Sequence, residues 1–149
     1  TQIRMKTLIA LITLIAFSHV AYAENEWLTN MSKVMEKAKN ENKLILLNFT
    51  GSDWCPRCIS LNKNVFEGQN FKKYTSENLV LLEVDLPKKS GKISQEQLEY
   101  NKELAKKYRV YAYPTVIITF ASGKELYREV GFNGDSKSYL TRLKDAKFQ

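Results

Sequence analysis

The sequence has 149 residues, of which 44% are hydrophobic, 11% aromatic and 26% charged, and its formal net charge is +7. This composition is that of one globular domain, and it excludes a disordered chain, a collagen-like repeat and a multidomain enzyme. The single histidine, His19, lies in a segment that we expect to be removed. The mature chain would then offer no imidazole for catalysis or for a metal site, so the two cysteines, Cys55 and Cys58, become the first candidates for chemistry.

The N-terminal segment has the three parts of a secretory signal. A short basic start at Met5 leads into an apolar run over residues 8–17, and a small-residue Ala-Tyr-Ala sequence ends at Ala23. A membrane anchor is the alternative, but a spanning helix needs about 20 apolar residues, twice the length of this run. We therefore expect residues 1–23 to be cleaved after Ala23. Residues 24–149 would then form a soluble domain in the periplasm or another exported location.

The rest of the chain alternates between helical and strand patterns. Helical spacing of apolar residues over 27–43 predicts the first helix, and the apolar run over 44–49 predicts a strand buried on both faces. The elements predicted after these are a helix through Val65, a short helix near 71–74, a strand over 79–84, a helix opened by the capping box at Ser94–Gln97, a hairpin of strands 115–120 and 125–130, and a helix from about Ser136. Strands separated by helices are expected to be parallel and the hairpin antiparallel, which gives an α/β fold with a central mixed sheet.

Cys55 and Cys58 lie directly after a predicted strand, at the start of a predicted helix. The unpaired N–H groups and partial positive charge of a helix N-terminus favour the thiolate of Cys55. A spacing of three residues places Cys58 on the same helical face, so the two sulfurs can close a disulfide. Pro56 suits the first helical turn. We expect Cys55 to be the exposed thiol that attacks a substrate disulfide, and the buried Cys58 to resolve the mixed disulfide.

Two alternatives to redox chemistry remain open for this cysteine pair. A purely structural disulfide would close a loop too small to stabilise the fold much. A zinc site needs about four ligands, more than the two cysteines supply, but two thiolates suffice for a soft Cu(I) ion. The basic loop at Lys88, Lys89 and Lys92 is interpreted as solvated surface, so no nucleic-acid partner is expected. No cofactor beyond the cysteine pair is readable in the sequence.

A second motif, Tyr113-Pro114-Thr115, opens the strand that follows the capped helix. A cis Pro114 would expose backbone beside the cysteines for pairing with a substrate strand, whereas a trans proline at a strand start is the ordinary alternative. The order of strand, CxxC and helix, together with this motif before the final hairpin, resembles the thioredoxin fold over nearly all of residues 26–146.

A narrower resemblance rests on Phe-Thr-Gly-Ser-Asp-Trp-Cys at 49–55, Leu-Glu-Val-Asp-Leu-Pro at 82–87 and Gly-Phe at 131–132. These segments are similar to the exported thioredoxin-like disulfide reductases of the DsbH type, known from chlamydiae. The resemblance implies that Cys55 is the nucleophile, that Cys58 resolves, that Pro114 is cis and contacts substrate, and that Trp54 packs beside the nucleophile. The substrate-contacting residues expected from the two motifs are Trp54, Pro56, Arg57, Tyr113 and Pro114.

The chain departs from the thioredoxin pattern at Asn48. Many thioredoxins carry a buried Asp there, which accepts the proton of the second cysteine. Asn48 cannot accept a proton, so a water, Glu83 or Asp53 is expected to do so, or else the deprotonation of Cys58 is slow. The alternative interpretation is that Asn48 is simply a strand residue with its hydrogen bonds satisfied.

The direction of electron flow is not fixed by the sequence. Arg57 lies between the cysteines and favours the Cys55 thiolate, which stabilises the reduced form and argues for an oxidase. The resemblance implies a reductase, which would need electrons from a membrane donor. We expect a monomeric reductase of protein disulfides, with an oxidase or isomerase of the same fold as the alternative. The alternative of a different class is a Cu(I)-binding or structural thioredoxin-like protein.

Overall fold

The computed structural model describes residues 26–146, so the expected signal and its cleavage site lie outside the described residues. The elements are, in chain order, β1 (Trp27–Leu28), α1 (Met31–Glu41), β2 (Leu44–Thr50), α2 (Pro56–Leu61), α3 (Gln69–Asn78), β3 (Leu79–Asp85), α4 (Gln95–Lys107), β4 (Thr115–Thr119), β5 (Glu125–Val130) and α5 (Ser136–Asp145). A π-helical turn over Asn62–Phe66 continues α2, and together they form the helix predicted to run through Val65. No described helix is long and apolar enough to cross a membrane.

The five strands form one mixed sheet in the order β1-β3-β2-β4-β5. The central strand β2 is parallel to β3, with Asn48 opposite Glu83, and antiparallel to β4. The predicted antiparallel hairpin of β4 and β5 is confirmed. The expectation that all strands separated by helices are parallel is wrong for β4, which starts where β2 ends, with Thr115 opposite Phe49. The segment 108–114 between α4 and β4 carries the chain back to that edge of the sheet.

The first predicted helix begins later than its apolar pattern indicates. Trp27 forms part of the edge strand β1, opposite Leu81 of β3, and its ring stacks on Phe71. The helix α1 starts after Asn30, whose side chain accepts a hydrogen bond from the N–H of Lys33 at 3.0 Å. The apolar side chain of Trp27 is therefore used in the sheet, and the prediction of a helix from residue 27 is wrong.

The sheet separates two apolar cores. One core lies under α1 and α4 and includes Val34, Leu47, Phe49, Leu82, Val84 and Leu104. The other lies under α2, α3 and α5 and includes Leu46, Leu61, Phe71, Leu81, Tyr139 and Leu143. Successive side chains of a strand point to opposite faces, so Leu46, Asn48 and Thr50 share the face that α2 covers. The same alternation places Leu81, Glu83 and Asp85 of β3 on that face.

The face under α2 therefore begins apolar and ends polar. The polar strand ends, as we call them, are Asn48 and Thr50 of β2 and Glu83 and Asp85 of β3. They lie at the carboxyl ends of two parallel strands, which meet at one edge of the sheet. The cysteine pair at the start of α2 directly follows one of these strand ends. The fold thus brings one titratable group of β3, Glu83, into the cleft that Cys58 also lines.

Candidate active site

Cys55 and Cys58 are joined by a disulfide across the first turn of α2, with their Cα atoms 5.3 Å apart. Cys55 is the N-cap of the helix, and its Sγ accepts the backbone N–H of Cys58 at 3.2 Å. Pro56 occupies the start of the helix, as predicted. The Sγ of Cys55 therefore lies where the free N–H groups of a helix can stabilise a negative charge.

The two cysteines do not differ in exposure in this disulfide form. Cys55 is 5% exposed and Cys58 is 4% exposed, so the expected contrast between an exposed and a buried thiol is absent. They differ in their surroundings instead. Cys58 lines a cleft beneath α2, whereas Cys55 caps the helix beside the exposed Pro56 and Arg57.

Trp54 is held on the loop between β2 and α2 by contacts on several sides. Its Nε1 donates a hydrogen bond to the carbonyl of Leu86 at 2.8 Å, and the ring of Tyr113 meets it edge-on at 5.7 Å. The Nζ of Lys88 lies 4.4 Å from the centre of the indole. A Cβ atom at Gly51 would come within 2.3 Å of the indole, so the loop needs glycine there. The indole therefore links the CxxC loop to the loop after β3 and to the Tyr113-Pro114 motif.

The peptide bond between Tyr113 and Pro114 is cis. Pro114 is buried, and its carbonyl accepts the N–H of Gly131 at 2.8 Å. Tyr113 is half-buried, and burial raises its pKa. Of the residues expected to contact substrate, Trp54 and Tyr113 touch each other, while Pro56 and Arg57 stand exposed on the first turn of α2.

Asp53 binds the loop after β3 rather than the cleft at Cys58. Its carboxylate accepts the backbone N–H groups of Lys88 at 3.0 Å and Lys89 at 2.8 Å. The hydrogen bond from Lys88 holds the pKa of Asp53 below its usual value. Both carboxylate oxygens are thus occupied by loop backbone, and Asp53 does not line the cleft.

The cleft beneath α2 has a volume of about 350 Å³ and contains Cys58, Asn48 and Glu83. Its other lining residues are Thr50, Ser52, Ile59, Asn62, Lys63 and Glu67. Burial raises the pKa of Glu83, and the negative charge of Asp85 adds to this, while Lys92 opposes it. Asn48 is buried, and its Oδ1 has no hydrogen-bond partner within residues 26–146. The interpretation of Asn48 as a strand residue with its hydrogen bonds satisfied is therefore wrong.

Asp85, which is buried at the end of β3, is a further residue of the site that no sequence motif indicates. Its carboxylate accepts the N–H of Ser52 at 3.0 Å and also the Ser52 hydroxyl, and the Nζ of Lys92 lies 3.8 Å away. The side chain of Asn101 donates to the Asp85 carbonyl at 2.7 Å. The available signal was an acidic residue at the end of an apolar strand. Asp85 fixes the loop that carries the cysteine pair.

Among the described residues, no three or more cysteine, histidine, aspartate or glutamate side chains are grouped so that they could hold a metal ion. The basic residues of the loop after β3 are exposed, as expected, but two of them have specific contacts. Lys88 lies over Trp54, and Lys92 pairs with Asp85. This loop is thus part of the wall of the site.

Comparison with known proteins agrees with this geometry. The family model of the thioredoxin-like domain matches residues 31–147. Over 128 residues the chain is 34% identical to the disulfide bond reductase DsbH of Chlamydia pneumoniae, covering 85% of this chain and 75% of that protein. A solved structure of a DsbH oxidoreductase superposes with a TM-score of 0.76 at 30% identity, over 97% of this chain and 99% of the other. A thioredoxin from Thermus thermophilus superposes at 0.64 and 18% identity, over 83% and 88% of the two chains, which shows the shared fold alone. The chain therefore belongs to the thioredoxin-like family, among the thiol-disulfide oxidoreductases related to DsbH.

Proposed function

We propose that this protein is an exported thiol-disulfide oxidoreductase that reduces disulfides in protein substrates. The observation that carries the proposal is the position of the Cys55 sulfur at the N-cap of α2. This sulfur lies 3.2 Å from the backbone nitrogen of Cys58 and forms a disulfide with the Cys58 sulfur. The relationship to a disulfide bond reductase supports the same direction of electron flow.

The reaction proceeds in two exchange steps. The Cys55 thiolate attacks one sulfur of the substrate disulfide, which forms a mixed disulfide and releases the first substrate thiolate. Cys58 then attacks the Sγ of Cys55, which releases the second substrate thiolate and closes the Cys55–Cys58 disulfide. The substrate gains two electrons and the enzyme loses two, so a membrane electron donor has to return two electrons for the next turnover.

The substrate docks on the surface around Cys55. Trp54, Tyr113 and the backbone at the otherwise buried Pro114 form one side of this surface, and Pro56 and Arg57 form the other, on the first turn of α2. The aromatic contact between Trp54 and Tyr113 supports a continuous surface across the two motifs. The protein acts as a monomer in the periplasm or another exported compartment, after removal of residues 1–23. N-terminal sequencing of the exported protein should then begin at Glu24.

Reduction of insulin with dithiothreitol tests the activity. The wild type should accelerate insulin precipitation, and the variants Cys55→Ser and Cys58→Ser should not. Cys58→Ser keeps the nucleophile and should accumulate mixed disulfides with proteins of an exported extract, whereas Cys55→Ser should trap almost none. An inactive wild type that binds one Cu(I) tightly would instead support the copper-binding alternative.

The reduction potential, measured against glutathione, decides the direction of electron flow. Arg57 beside Cys55 favours the oxidase alternative, as does the helix N-terminus, because both stabilise the Cys55 thiolate and therefore the reduced form. A value near that of thioredoxin, about −270 mV, would support a reductase, and a value near that of DsbA, about −120 mV, would support an oxidase.

A further inference from the structure

The polar strand ends place a carboxyl group and an amide next to each other beneath the resolving cysteine. Asn48 of β2 is directly opposite Glu83 of β3, and both side chains point to the face covered by α2. Neighbouring strands lie about 4.8 Å apart, so the two side chains are within reach of each other. Cys58 lines the same cleft from above. Cys58, the carboxyl of Glu83 and the amide of Asn48 therefore line the same cleft.

The carboxyl of Glu83 is free for chemistry, unlike the other acidic groups of this region. The carboxylates of Asp53 and Asp85 each accept the backbone N–H groups of neighbouring loops. No hydrogen bond to the Glu83 carboxyl is formed by any group of residues 26–146. The side chain is nonetheless half-buried. A half-buried carboxyl without donors is poorly stabilised as an anion and gains from taking up a proton.

The charged groups around Glu83 come from three elements. Asp85 lies two residues further along β3, Lys92 reaches in from the following loop, and Lys63 and Glu67 line the cleft from the π-helical turn and the residue after it. Burial and Asp85 raise the pKa of Glu83, and Lys92 opposes the rise. A carboxyl in this position is a stronger base than an exposed glutamate, and so it is better matched to a thiol.

We propose that Glu83 accepts the proton of Cys58 when Cys58 resolves the mixed disulfide, and that Asn48 holds the protonated carboxyl. This step rests on the proposed function. The proton passes from the Cys58 Sγ to a carboxylate oxygen of Glu83, within the cleft. The Cys58 thiolate then attacks the Cys55 Sγ, the bond between Cys55 and the substrate breaks, and the substrate sulfur leaves as a thiolate. When a donor later reduces the enzyme, Glu83 returns the proton to Cys58.

Asn48 gives this assignment a second, independent support. Its buried Oδ1 has no donor within the described part of the chain, which is a costly arrangement for a buried carbonyl. A carboxylate cannot supply that donor, but a protonated Glu83 can donate its O–H to the Asn48 oxygen. The amide thus favours the protonated state that follows proton transfer. Asn48 is a positioning residue in this scheme, and Glu83 is the proton acceptor.

Stopped-flow reaction of the reduced protein with one equivalent of Ellman's reagent separates the two exchange steps. Attack by Cys55 releases the first thionitrobenzoate at a rate that depends on reagent concentration. Resolution by Cys58 releases the second thionitrobenzoate at a rate that does not depend on the reagent concentration. We compare the wild type with Glu83→Gln, which keeps the side-chain shape, and with Glu67→Gln, a matched control. Glu67 is an exposed acid of the same cleft that accepts a hydrogen bond from Asn62.

At pH 7 we expect the second phase to slow about 100-fold in Glu83→Gln, the size of a general-base contribution, and less than twofold in Glu67→Gln. The first phase should be unchanged in both variants, which also shows that the fold is intact. In the wild type the rate of the second phase should fall as the pH drops through the pKa of Glu83, because a carboxyl that is already protonated cannot take up the proton of Cys58. In Glu83→Gln this limb should be missing, and the two rates should converge at a pH where Cys58 ionises unaided.

The assignment would be overturned if the second-phase rate of Glu83→Gln were within twofold of the wild-type rate. It would also be overturned if Glu83→Gln slowed the second phase by the same factor at every pH. These results differ from a failure of the proposed function. In that case the wild type itself would release no second thionitrobenzoate and would match Cys58→Ser.

Discussion

At the scale of single residues, the positive charge on the helix turn that follows Cys55 comes from Arg57. It is exposed on the first turn of α2, and no ion pair joins it to any part of the chain that the structure describes. We expect its guanidinium to stabilise the Cys55 thiolate and therefore the reduced form. We expect Arg57→Gln to make the reduction potential more negative, by about 10 to 20 mV, since an exposed charge contributes under about 1 kcal/mol. Equilibration with glutathione measures this shift. Lys106→Gln on α4 is the control and should leave the potential unchanged, while a positive shift in Arg57→Gln would contradict the argument.

Gly51 controls the position of Trp54. Alanine at this position would place its Cβ 2.3 Å from the indole, so the ring would have to move away from the Leu86 carbonyl. We expect Gly51→Ala to cost about 1 to 3 kcal/mol of folding stability and to slow insulin reduction severalfold. In a Trp27→Phe background, which isolates the emission of Trp54, its fluorescence should shift to longer wavelength. An unshifted emission with full activity would show that the loop absorbs the methyl group.

At the scale of elements, periodicity in the sequence predicts those segments that bury one face. The apolar runs of β2 and β3 and the capped, amphipathic α4 were predictable for this reason. The strand β1 was not predictable, because a strand of two residues is too short to show a periodic pattern of apolar residues. The direction of β4 was missed because it depends on the return path over 108–114, which has no pattern of its own.

The site was predictable to a similar extent. The cysteine pair and the Tyr113-Pro114 motif are contiguous in sequence and could be recognised directly. The pairing of Asn48 with Glu83 depends on the register between two strands, and a sequence does not show that register. The sequence alone therefore does not distinguish Asp53 from Glu83 as the group that could accept the proton of Cys58. In the structure, Asp53 binds the loop after β3, and Glu83 lines the cleft.

The contact between the CxxC loop and the loop after β3 depends on the charge of Asp53. Its pKa is lowered by the N–H of Lys88, so the contact is present above the usual aspartate pKa and is lost as the pH falls through the lowered value. We expect Asp53→Ala to increase hydrogen exchange at Lys88 and Lys89 at neutral pH, whereas the wild type should show this increase only as the pH falls through the lowered pKa of Asp53. Asp135→Ala removes the N-cap of α5 and is the control, because it should affect α5 alone. Equal exchange in Asp53→Ala and the wild type would show that other contacts hold the loop.

At the scale of the whole molecule, the fold holds the cysteine pair in place for a disulfide. Cys58 and Leu61 fix α2 on the sheet, with exposures of 4% and 0%, and the Cα atoms of the pair are held 5.3 Å apart. This distance lies in the range usual for disulfides, so we expect a fold that holds the two cysteines in this position to favour the oxidised form. We expect the helix N-terminus and Arg57 to favour the reduced form instead, because both stabilise the Cys55 thiolate. The direction of electron flow follows from which of these two effects is larger.

Unfolding of the two redox forms measures that balance directly. In the unfolded chain neither effect operates, so the oxidised and reduced forms differ in unfolding free energy by the amount that the fold shifts the potential, with about 1.4 kcal/mol for each 30 mV. For a reductase we expect the oxidised protein to be more stable, by about 1 to 3 kcal/mol, because packing of α2 outweighs one N–H and one exposed cation. Guanidinium unfolding with and without a phosphine reductant gives the difference. The double variant Cys55→Ser/Cys58→Ser should be insensitive to the reductant. A reduced form more stable than the oxidised one would make the protein an oxidant, as for DsbA, and would reverse the proposed direction of electron flow.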